Sequence, residues 1–348
     1  MRLSIIGAGT MGGGIAITSL KAGIPTTVVD TTDAALDRLR DRIGRHLARE
    51  VEKGRMDAAG ADAARRCLTV STELGAVSGS ALLIEAVFED LAVKHELLSR
   101  VQGLLQPEAV IATNTSCLLV ADIARALDDP GRLLGLHYFS PAEICPMVEV
   151  ISTSETRAAI RRCALDFLAR TGKSPLPCKD SPGFALNRFF CPYCNEAVQL
   201  LDEGIATPGQ IDAVACASFG VPAGPFRVMN LTKPVIMLRA MQGLERLGVF
   251  YRPAQGLLRA GGEGADWLID GDPPALPDAA RQEVARRLTM ALCRPAAEAL
   301  AEGAVAPEDL DRGAREALRF QRTPVTLLGA LSPDDRRRLE ARAAAKGA

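Results

Sequence analysis

The sequence predicts an α/β domain built on a doubly wound parallel sheet, followed by an all-helical domain that contains a duplicated helix unit. Three observations carry this prediction. Short apolar runs of strand length alternate with helical stretches through the first half of the chain, which is typical of a parallel sheet. A glycine-rich turn follows the first of these runs directly. After the turn sequence Asp180-Ser181-Pro182-Gly183, only helical patterns rich in Ala, Leu and Arg continue.

The first elements surround the glycine-rich turn. The apolar run LSII (residues 3–6) leads into Gly7-Ala8-Gly9-Thr10-Met11-Gly12, and an apolar-periodic helix and the run TTVV (26–29) follow. This order is typical of a dinucleotide-binding βαβ unit of the Rossmann type. Gly7 permits the tight turn, Gly9 lets the backbone approach a pyrophosphate, and Gly12 lets helix and strand pack closely. The N–H groups and dipole of the helix N-terminus then face the phosphates.

Asp30 follows the second strand, eighteen positions after Gly12. A carboxylate at this place accepts hydrogen bonds from ribose hydroxyls and would repel a 2′-phosphate, so we expect NAD rather than NADP as the cofactor. Glycines also mark ordinary structural turns, but the strand, helix and acid around this motif favour a dinucleotide. The motif by itself indicates no particular reaction.

The later strand-like runs predict the domain organisation. They are ALLIEA (81–86), AVIAT (109–113), LLGLHY (133–138) and MVEVI (147–151). We place a nucleotide-binding domain at residues 1–180, a helical dimerisation or substrate domain at 181–280, and a second, degenerate helical repeat at 281–348. The repeat rests on EGIATPGQID from Glu203 and EGAVAPEDLD from Glu302, which align at an offset of 99 positions. Chance similarity in an Ala-rich chain is the alternative.

Composition argues against several classes of protein. The formal net charge of −1 argues against nucleic acid as the main partner, and no apolar run reaches transmembrane length. The N-terminus leads directly into a strand, so we expect no signal peptide, and the nine cysteines indicate reduced thiols in the cytoplasm. Cys191 and Cys194 fall in a predicted helix over 187–201, which favours buried thiols over a redox motif. No Cys/His set has metal-ligand spacing, so we expect no metal.

An amphipathic helix follows the second strand. Its apolar residues recur at helical spacing, and a second stripe on it is basic. The basic stripe comprises Arg38, Arg42, Arg45, Arg49 and Lys53. Acidic neighbours partly neutralise the stripe, so it is either a solvated face or a docking strip for a phosphate-bearing partner.

Polar residues at the ends of apolar runs are the candidates for chemistry. His137 ends the run LLGL, and carboxyl ends of strands face the ligand crevice in open α/β sheets. Glu149 interrupts the apolar run MVEVI, where a carboxylate needs a partner, and His137 on a neighbouring strand is the obvious one. We therefore predict a His base polarised by a Glu, with a structural pair as the alternative. Asn114-Thr115-Ser116 follows the run AVIAT at the same crevice, and Asn187 begins the first helix of the second domain.

Six ordered motifs resemble those of the 3-hydroxyacyl-CoA dehydrogenase family. They cover roughly residues 1–255, and a weaker likeness to the second C-terminal repeat of longer members continues after them. The motifs are GAGTMGGGIA, EAVFEDLAVK, ATNTS, GLHYFSP with MVEV, DSPGFALNR and FGVPAGPF.

The resemblance implies a reaction and a role for each site residue. His137 would take the 3-hydroxyl proton of an (S)-3-hydroxyacyl thioester as hydride leaves C3 for NAD⁺. Glu149 would orient His137, Ser116 would bind the substrate oxygen, and Asn187 would help to polarise the acyl group. The basic stripe lies where the family contacts the nucleotide of CoA. The expected cofactor-binding residues are Gly7, Gly9, Thr10, Met11, Gly12, Asp30, Glu89, Lys94, Asn114, Ser116 and Ser140.

Departures from the family pattern leave the substrate open. Cys117 replaces a second serine, Ser140 replaces an asparagine of short-chain members, and the segments EICP (143–146) and GGEGADWLIDG (261–271) are unusual. One alternative is the branch that oxidises hydroxyacyl or glyceryl groups on acyl carrier protein for polyketide extender units of the methoxymalonyl type. A free 3-hydroxy acid dehydrogenase and a non-catalytic NAD-binding protein are less favoured. We expect a homodimer or a monomer.

Overall fold

The computed structural model describes residues 1–271 and 273–344, and contacts divide the chain into two compact units, Met1–Asp180 and Ser181–Ala348. The three-part division of the chain at residues 180 and 280 stays a prediction, and the last residues of its third part, 345–348, lie outside the described residues. Each unit is described in turn.

In the described part of the first unit, eight strands form one sheet in the order β3-β2-β1-β4-β5-β6-β7-β8. β1 pairs in parallel with β2 on one side and with β4 on the other, so the strand order reverses beside β1. Doubly wound sheets bind their ligands at such a reversal. The strands are β1 (Leu3–Ile6), β2 (Thr26–Val29), β3 (Leu68–Ser71), β4 (Leu82–Glu85), β5 (Val110–Thr113), β6 (Leu133–Tyr138), β7 (Met147–Ser152) and β8 (Ser174–Lys179).

One face of this sheet is covered by a continuous apolar core. Alternate residues of the strands, such as Ile5 and Leu134, pack against helix residues such as Ile15, Leu39 and Phe167. The amphipathic helix predicted after β2 is one of these helices, α2 (Asp33–Glu52). The helices of the unit are α1 (Thr10–Lys21), α2 (Asp33–Glu52), α3 (Ala58–Arg66), α4 (Leu91–Val101), α5 (Val120–Ala124) and α6 (Ala158–Arg170).

The prediction of a parallel sheet is correct for β1, β2, β4, β5 and β6. It is wrong for β7, which pairs with β6 in the antiparallel sense. The reason is the length of the connection, because residues 139–146 are too few for the crossover that a parallel neighbour requires. β3 and β8 were not predicted. β3 has no fully buried residue, unlike the predicted strands. β8 contains Pro175 and Pro177, which are tolerated because β8 is the last strand of the sheet.

The second unit is helical in its described part, as predicted, and none of the described helices is both long and apolar enough to cross a bilayer. The predicted helix at 187–201 forms, and Cys191 and Cys194 are buried thiols on it. The helices are α7 (Asn187–Asp202), α8 (Pro208–Phe219), α9 (Pro225–Thr232), α10 (Pro234–Leu244), α11 (Gln255–Glu263), α12 (Asp278–Ala301), α13 (Pro307–Glu316), α14 (Pro324–Ala330) and α15 (Pro333–Ala344).

The structure confirms the duplicated helix unit. α7, α8 and α9 correspond to α12, α13 and α14, and the prolines that begin α8 and α9 recur 99 positions later at the starts of α13 and α14. Asp212 of α8 accepts a hydrogen bond from the Phe226 N–H at the start of α9, at 2.9 Å. Its counterpart Asp311 accepts one from the Thr323 hydroxyl, just before α14. The two copies therefore share a helix-start contact as well as a sequence pattern.

The two copies pack on each other through α7 and α12, and their ion pairs are reciprocal. Arg188 of the first copy donates to Glu302 of the second at 2.7 Å. Arg287, which corresponds to Arg188, donates to Glu203 of the first copy at 2.9 Å. The Arg188 side chain is 1% exposed, so its partners neutralise a charge that would otherwise be very unfavourable in the interior.

Candidate active site

The glycine turn after β1 has the backbone that close approach to a ligand requires. Gly7 has φ +108°, and a Cβ there would lie 2.5 Å from the carbonyl oxygen of Ala86. A Cβ at Gly12 would lie 1.9 Å from the Gly7 carbonyl oxygen. Gly9, by contrast, has open space where its Cβ would be, and it precedes α1 without a side-chain cap. The N-terminus of α1 is therefore open to a phosphate-bearing ligand, and these residues fit a dinucleotide.

Asp30 lies at the end of β2 beside this turn. Its Oδ2 accepts a hydrogen bond from the Ala8 N–H at 2.7 Å, which ties the acid to the backbone of the glycine motif. The carboxylate is half-buried, so a charged group at its position would act on any ligand phosphate nearby.

His137 and Glu149 are directly opposed residues of β6 and β7. The Nδ1–H of His137 donates to Oε2 of Glu149 at 2.6 Å. Glu149 is 0% exposed and His137 is 5% exposed, so this hydrogen bond gives a buried carboxylate a polar partner. The ring of Phe139 packs against the imidazole with 4.5 Å between centroids. The arrangement can hold an imidazole in one orientation and stabilise it when it gains a proton.

Asn114 lies at the end of β5, next to β6. Its side-chain oxygen accepts a hydrogen bond from the backbone N–H of Tyr138 at 3.0 Å, immediately after His137. Asn114 therefore holds the end of the strand that carries the histidine, a contact that sequence reasoning missed. The predicted contact of Asn114 with the cofactor stays a prediction.

Glu89 organises the turn that contains Ser116. One of its oxygens accepts hydrogen bonds from the Thr115 hydroxyl at 2.6 Å, the Ser116 N–H at 2.7 Å and the Cys117 N–H at 3.0 Å. Burial would raise the pKa of the Glu89 carboxyl, but the charge of Lys94 and these donors outweigh it and hold the pKa below its usual range. The position of Ser116 is thus set by a carboxylate that remains ionised.

Lys94 lies on α4 and is 1% exposed. Its ammonium donates to Glu85 at 2.7 Å and lies 3.3 Å from Glu89. Glu85 ends β4 and also accepts from the Thr113 hydroxyl at 2.6 Å. Sequence reasoning missed Glu85, although an acid at the end of the apolar run ALLIEA was the signal that could have found it. The cofactor contacts expected for Glu89 and Lys94 stay predictions.

The predicted site residues of the first unit follow strands that end at one edge of the sheet. The carboxyl ends of the parallel strands β1, β2, β4, β5 and β6 carry, in that order, the glycine turn, Asp30, the segment with Glu89, the turn with Ser116, and His137. Ser140 follows β6 and is exposed. Asn187 is the first residue of α7 in the second unit, and its predicted role stays a prediction.

The basic stripe on α2 is only partly available to a partner. Arg38, Arg45, Arg49 and Lys53 are exposed, as a docking strip would require. Arg42 differs, because its guanidinium donates to the Thr10 carbonyl and to the Glu143 carboxylate. Arg42 is therefore engaged by groups of its own chain, and whether the exposed cations form a docking strip or a solvated face stays a prediction.

Comparison with known proteins identifies the family. Residues 2–181 match the NAD-binding domain of 3-hydroxyacyl-CoA dehydrogenases, and residues 183–259 match their C-terminal domain. The fold, the glycine turn and these matches define an NAD-dependent oxidoreductase. The chain belongs to the 3-hydroxyacyl-CoA dehydrogenase family.

Individual proteins and solved structures are also similar to this chain. A 3-hydroxybutyryl-CoA dehydrogenase of Mycobacterium tuberculosis is 36% identical over 232 residues, which are 66% of this chain and 81% of that protein. The crystal structure of M. tuberculosis FadB2 aligns with a TM-score of 0.73 at 34% identity and covers 76% of this chain and 94% of that one. The 3-hydroxybutyryl-CoA dehydrogenase structure from Escherichia coli K12 covers 100% of this chain and 99% of its own at 22% identity and a TM-score of 0.83, so it shares the fold.

Proposed function

We propose that the protein oxidises an (S)-3-hydroxyacyl-CoA thioester to the 3-oxoacyl-CoA thioester with NAD⁺. The observation that carries this proposal is the buried His137–Glu149 pair, whose residues are opposed across β6 and β7. His137 lies near the carboxyl end of β6, and the glycine turn follows the carboxyl end of β1 in the same sheet. The name of the M. tuberculosis relative supports the substrate class, because that protein is a 3-hydroxybutyryl-CoA dehydrogenase.

In this proposal His137 is the general base. Glu149 holds Nδ1, so the 3-hydroxyl proton is received at Nε2, and the buried carboxylate stabilises the imidazolium that forms. Glu89 orients Ser116 by accepting a hydrogen bond from the Ser116 backbone N–H, and the Ser116 hydroxyl donates to the substrate oxygen. Asn187 of the second unit binds the acyl group and helps to polarise it.

NAD fits the glycine turn, and bound there it supplies the acceptor for the hydrogen that leaves C3. The N–H groups at the start of α1 would hold the pyrophosphate, and Asp30 would bind the adenosine ribose. Glu89, Lys94, Asn114 and Ser140 complete the proposed cofactor-binding set.

Stereospecific turnover tests the proposal. The purified protein should reduce NAD⁺ with (S)-3-hydroxybutyryl-CoA or a longer-chain homologue and not with the (R) epimers. It should also oxidise NADH with the matching 3-oxoacyl-CoA. The proposal is wrong if NADH binds but no 3-hydroxyacyl-CoA of any chain length is turned over.

A second candidate function differs in the carrier of the acyl group. The segments 143–146 and 261–271 depart from the family pattern and leave the substrate open. The alternative is that the same chemistry acts on a hydroxyacyl or glyceryl group borne by acyl carrier protein. It is supported by FGVPAGPFRVMN (219–230), GVFYRPAQ (248–255) and WLIDG (267–271), which resemble that branch of the family. One acyl group presented on CoA, on acyl carrier protein and on a pantetheine mimic separates the two. A large preference in kcat/KM for the protein-borne form would select the alternative, whereas equal or faster turnover on CoA would retain the first proposal.

A further inference from the structure

Arg42 connects the cofactor turn with the segment that joins the two strands of the proposed catalytic pair. It lies on α2, and its Nη1 donates to the carbonyl oxygen of Thr10, the first residue of α1, at 2.8 Å. Its Nη2 donates to Oε1 of Glu143 at 2.9 Å. Glu143 belongs to residues 139–146, which lead from β6 to β7. One guanidinium therefore contacts both the glycine motif and this segment.

Two glycines of α1 make these contacts possible. A Cβ at Gly13 would lie 2.8 Å from Arg42 Nη1, and a Cβ at Gly14 would lie 2.5 Å from Glu143 Oε2. Both distances are shorter than side chains tolerate, so any larger residue would displace the pair. Gly13 and Gly14 lie beyond the Gly7–Gly12 motif, which needs neither of them for its turn. Their small size leaves room for the Arg42–Glu143 contact, and also for Leu39 and Ala142, whose side chains a Cβ would meet at 3.1 and 2.9 Å.

The pair is partly shielded from water, and a second cation holds the same segment. The Arg42 and Glu143 side chains are 29% and 11% exposed, so their attraction is screened less than that of a surface pair. Burial would raise the pKa of the Glu143 carboxyl, but its own backbone N–H and Arg42 outweigh this and hold the pKa below its usual range. Lys173 donates to the carbonyl oxygens of Ala142 and Cys145, at 2.6 and 2.7 Å. The segment 139–146 is thus held by two cations, Arg42 and Lys173.

We propose that the Arg42–Glu143 ion pair is a positioning pair for the dehydrogenase reaction, which holds the segment between His137 and Glu149 in register with the cofactor turn. The proposal rests on the proposed function. Neither residue touches substrate in it. Their effect is exerted through Thr10 on the cofactor side and through the 139–146 segment on the side of the general base.

Matched neutral variants test the pair. Arg42→Gln and Glu143→Gln are each expected to lower kcat by about tenfold, as for loss of one hydrogen bond between charged groups. Each should also weaken NADH binding in a fluorescence titration, while KM for the acyl-CoA stays within about twofold of the wild-type value. The double variant should be no worse than Arg42→Gln alone, because loss of the guanidinium already removes the contact that Glu143→Gln removes. Thermal unfolding establishes that each variant is folded, and Glu143→Gln keeps the shape of the residue it replaces.

Arg40→Gln on the same helix is the control. Arg40 forms an exposed pair with Asp37 at 2.8 Å, so its loss should leave NADH binding and kcat unchanged. Additive effects in the double variant, or equal losses in Arg40→Gln, would overturn the proposal. An effect confined to KM for the acyl-CoA would also overturn it and return Arg42 to the docking strip. Absence of turnover by the wild-type protein would contradict the proposed function instead, and the NADH titrations would still decide the role of the pair.

Discussion

His137 and Glu149 owe their contact to strand register, because they are directly opposed residues of an antiparallel strand pair. The 2.6 Å hydrogen bond between them is therefore set by the backbone of β6 and β7 and needs no mobile loop. Substitution of the histidine should leave the surrounding sheet intact. His137→Asn is expected to lower kcat by about 10²- to 10⁴-fold, the usual effect of losing a general base. NADH binding, measured by fluorescence titration, should stay near the wild-type value. Near-wild-type turnover of a 3-hydroxyacyl thioester would refute the assigned role.

Glu149→Gln should reduce turnover less than His137→Asn. The amide preserves the shape of the side chain but removes the negative charge that stabilises the imidazolium. We expect kcat to fall by about 10- to 100-fold, as for loss of a hydrogen bond to a charged group. Steady-state rates with an acyl-CoA substrate measure the effect, and Glu155→Gln, an exposed acid that follows β7, serves as the control. A kcat equal to that of the wild type would make the pair structural only.

Asp30 should make the protein prefer NADH to NADPH. Its carboxylate is held against the glycine turn by the Ala8 N–H, and repulsion of a 2′-phosphate there corresponds to about 1–3 kcal/mol, or roughly 10- to 100-fold in affinity. Titration of the protein with each nucleotide gives the ratio of dissociation constants. Asp30→Ala should reduce the ratio of the dissociation constant for NADPH to that for NADH. Equal affinities in the wild type would contradict the role of Asp30.

The exposed part of the basic stripe should act on substrate binding. Arg45→Glu combined with Arg49→Glu is expected to raise KM for the acyl-CoA and to change kcat little, because this surface is remote from the chemistry. The effect on KM should weaken as salt rises, since exposed charges are screened within about 10 Å at 0.1 M salt. Initial rates at low and high salt provide the measurement. An unchanged KM at low salt would identify the stripe as a solvated face.

Glu89 should contribute to stability at neutral pH and lose that contribution in acid. Its pKa in the folded protein lies below the value of 4.5 for an unperturbed glutamate, so folding favours the ionised form. The stabilisation is present above that value and disappears as the pH falls through the folded-state pKa. Urea unfolding at neutral and acidic pH should show a smaller acid-induced loss for Glu89→Gln than for the wild type. Glu96→Gln, at an exposed position on α4, should behave as the wild type, and an identical loss in all three proteins would exclude this role.

The sequence was sufficient for the His–Glu pair and insufficient for the network around it. A carboxylate within the apolar run MVEVI requires a partner, and His137 was the available one, so composition and burial alone predict the contact. The roles of Glu89 and Asn114 depend on which donors the folded turns bring within reach, and no spacing in the sequence encodes that. Lys94 shows the same limit, since helical periodicity could not indicate that its ammonium lies between two carboxylates.

The direction of β7 could not be predicted for a different reason. The run MVEVI was recognised as a strand, but alternation of apolar residues does not report direction. The short connection at 139–146 indicates an antiparallel neighbour, because a parallel crossover needs a dozen or more residues. SPLPCK of β8 was missed because its two prolines resemble a turn, and only its place at the edge of the sheet makes them acceptable.

The reciprocal contacts of Arg188 and Arg287 join two copies of one helical unit within a single chain. The same contact between separate molecules would be a bimolecular association, which dilution weakens. Here the second copy is tethered, so its effective concentration at the first is set by the chain and not by the amount of protein present. The α7–α12 contact should therefore persist at any dilution, and each copy can change its sequence without imposing the same change on the other.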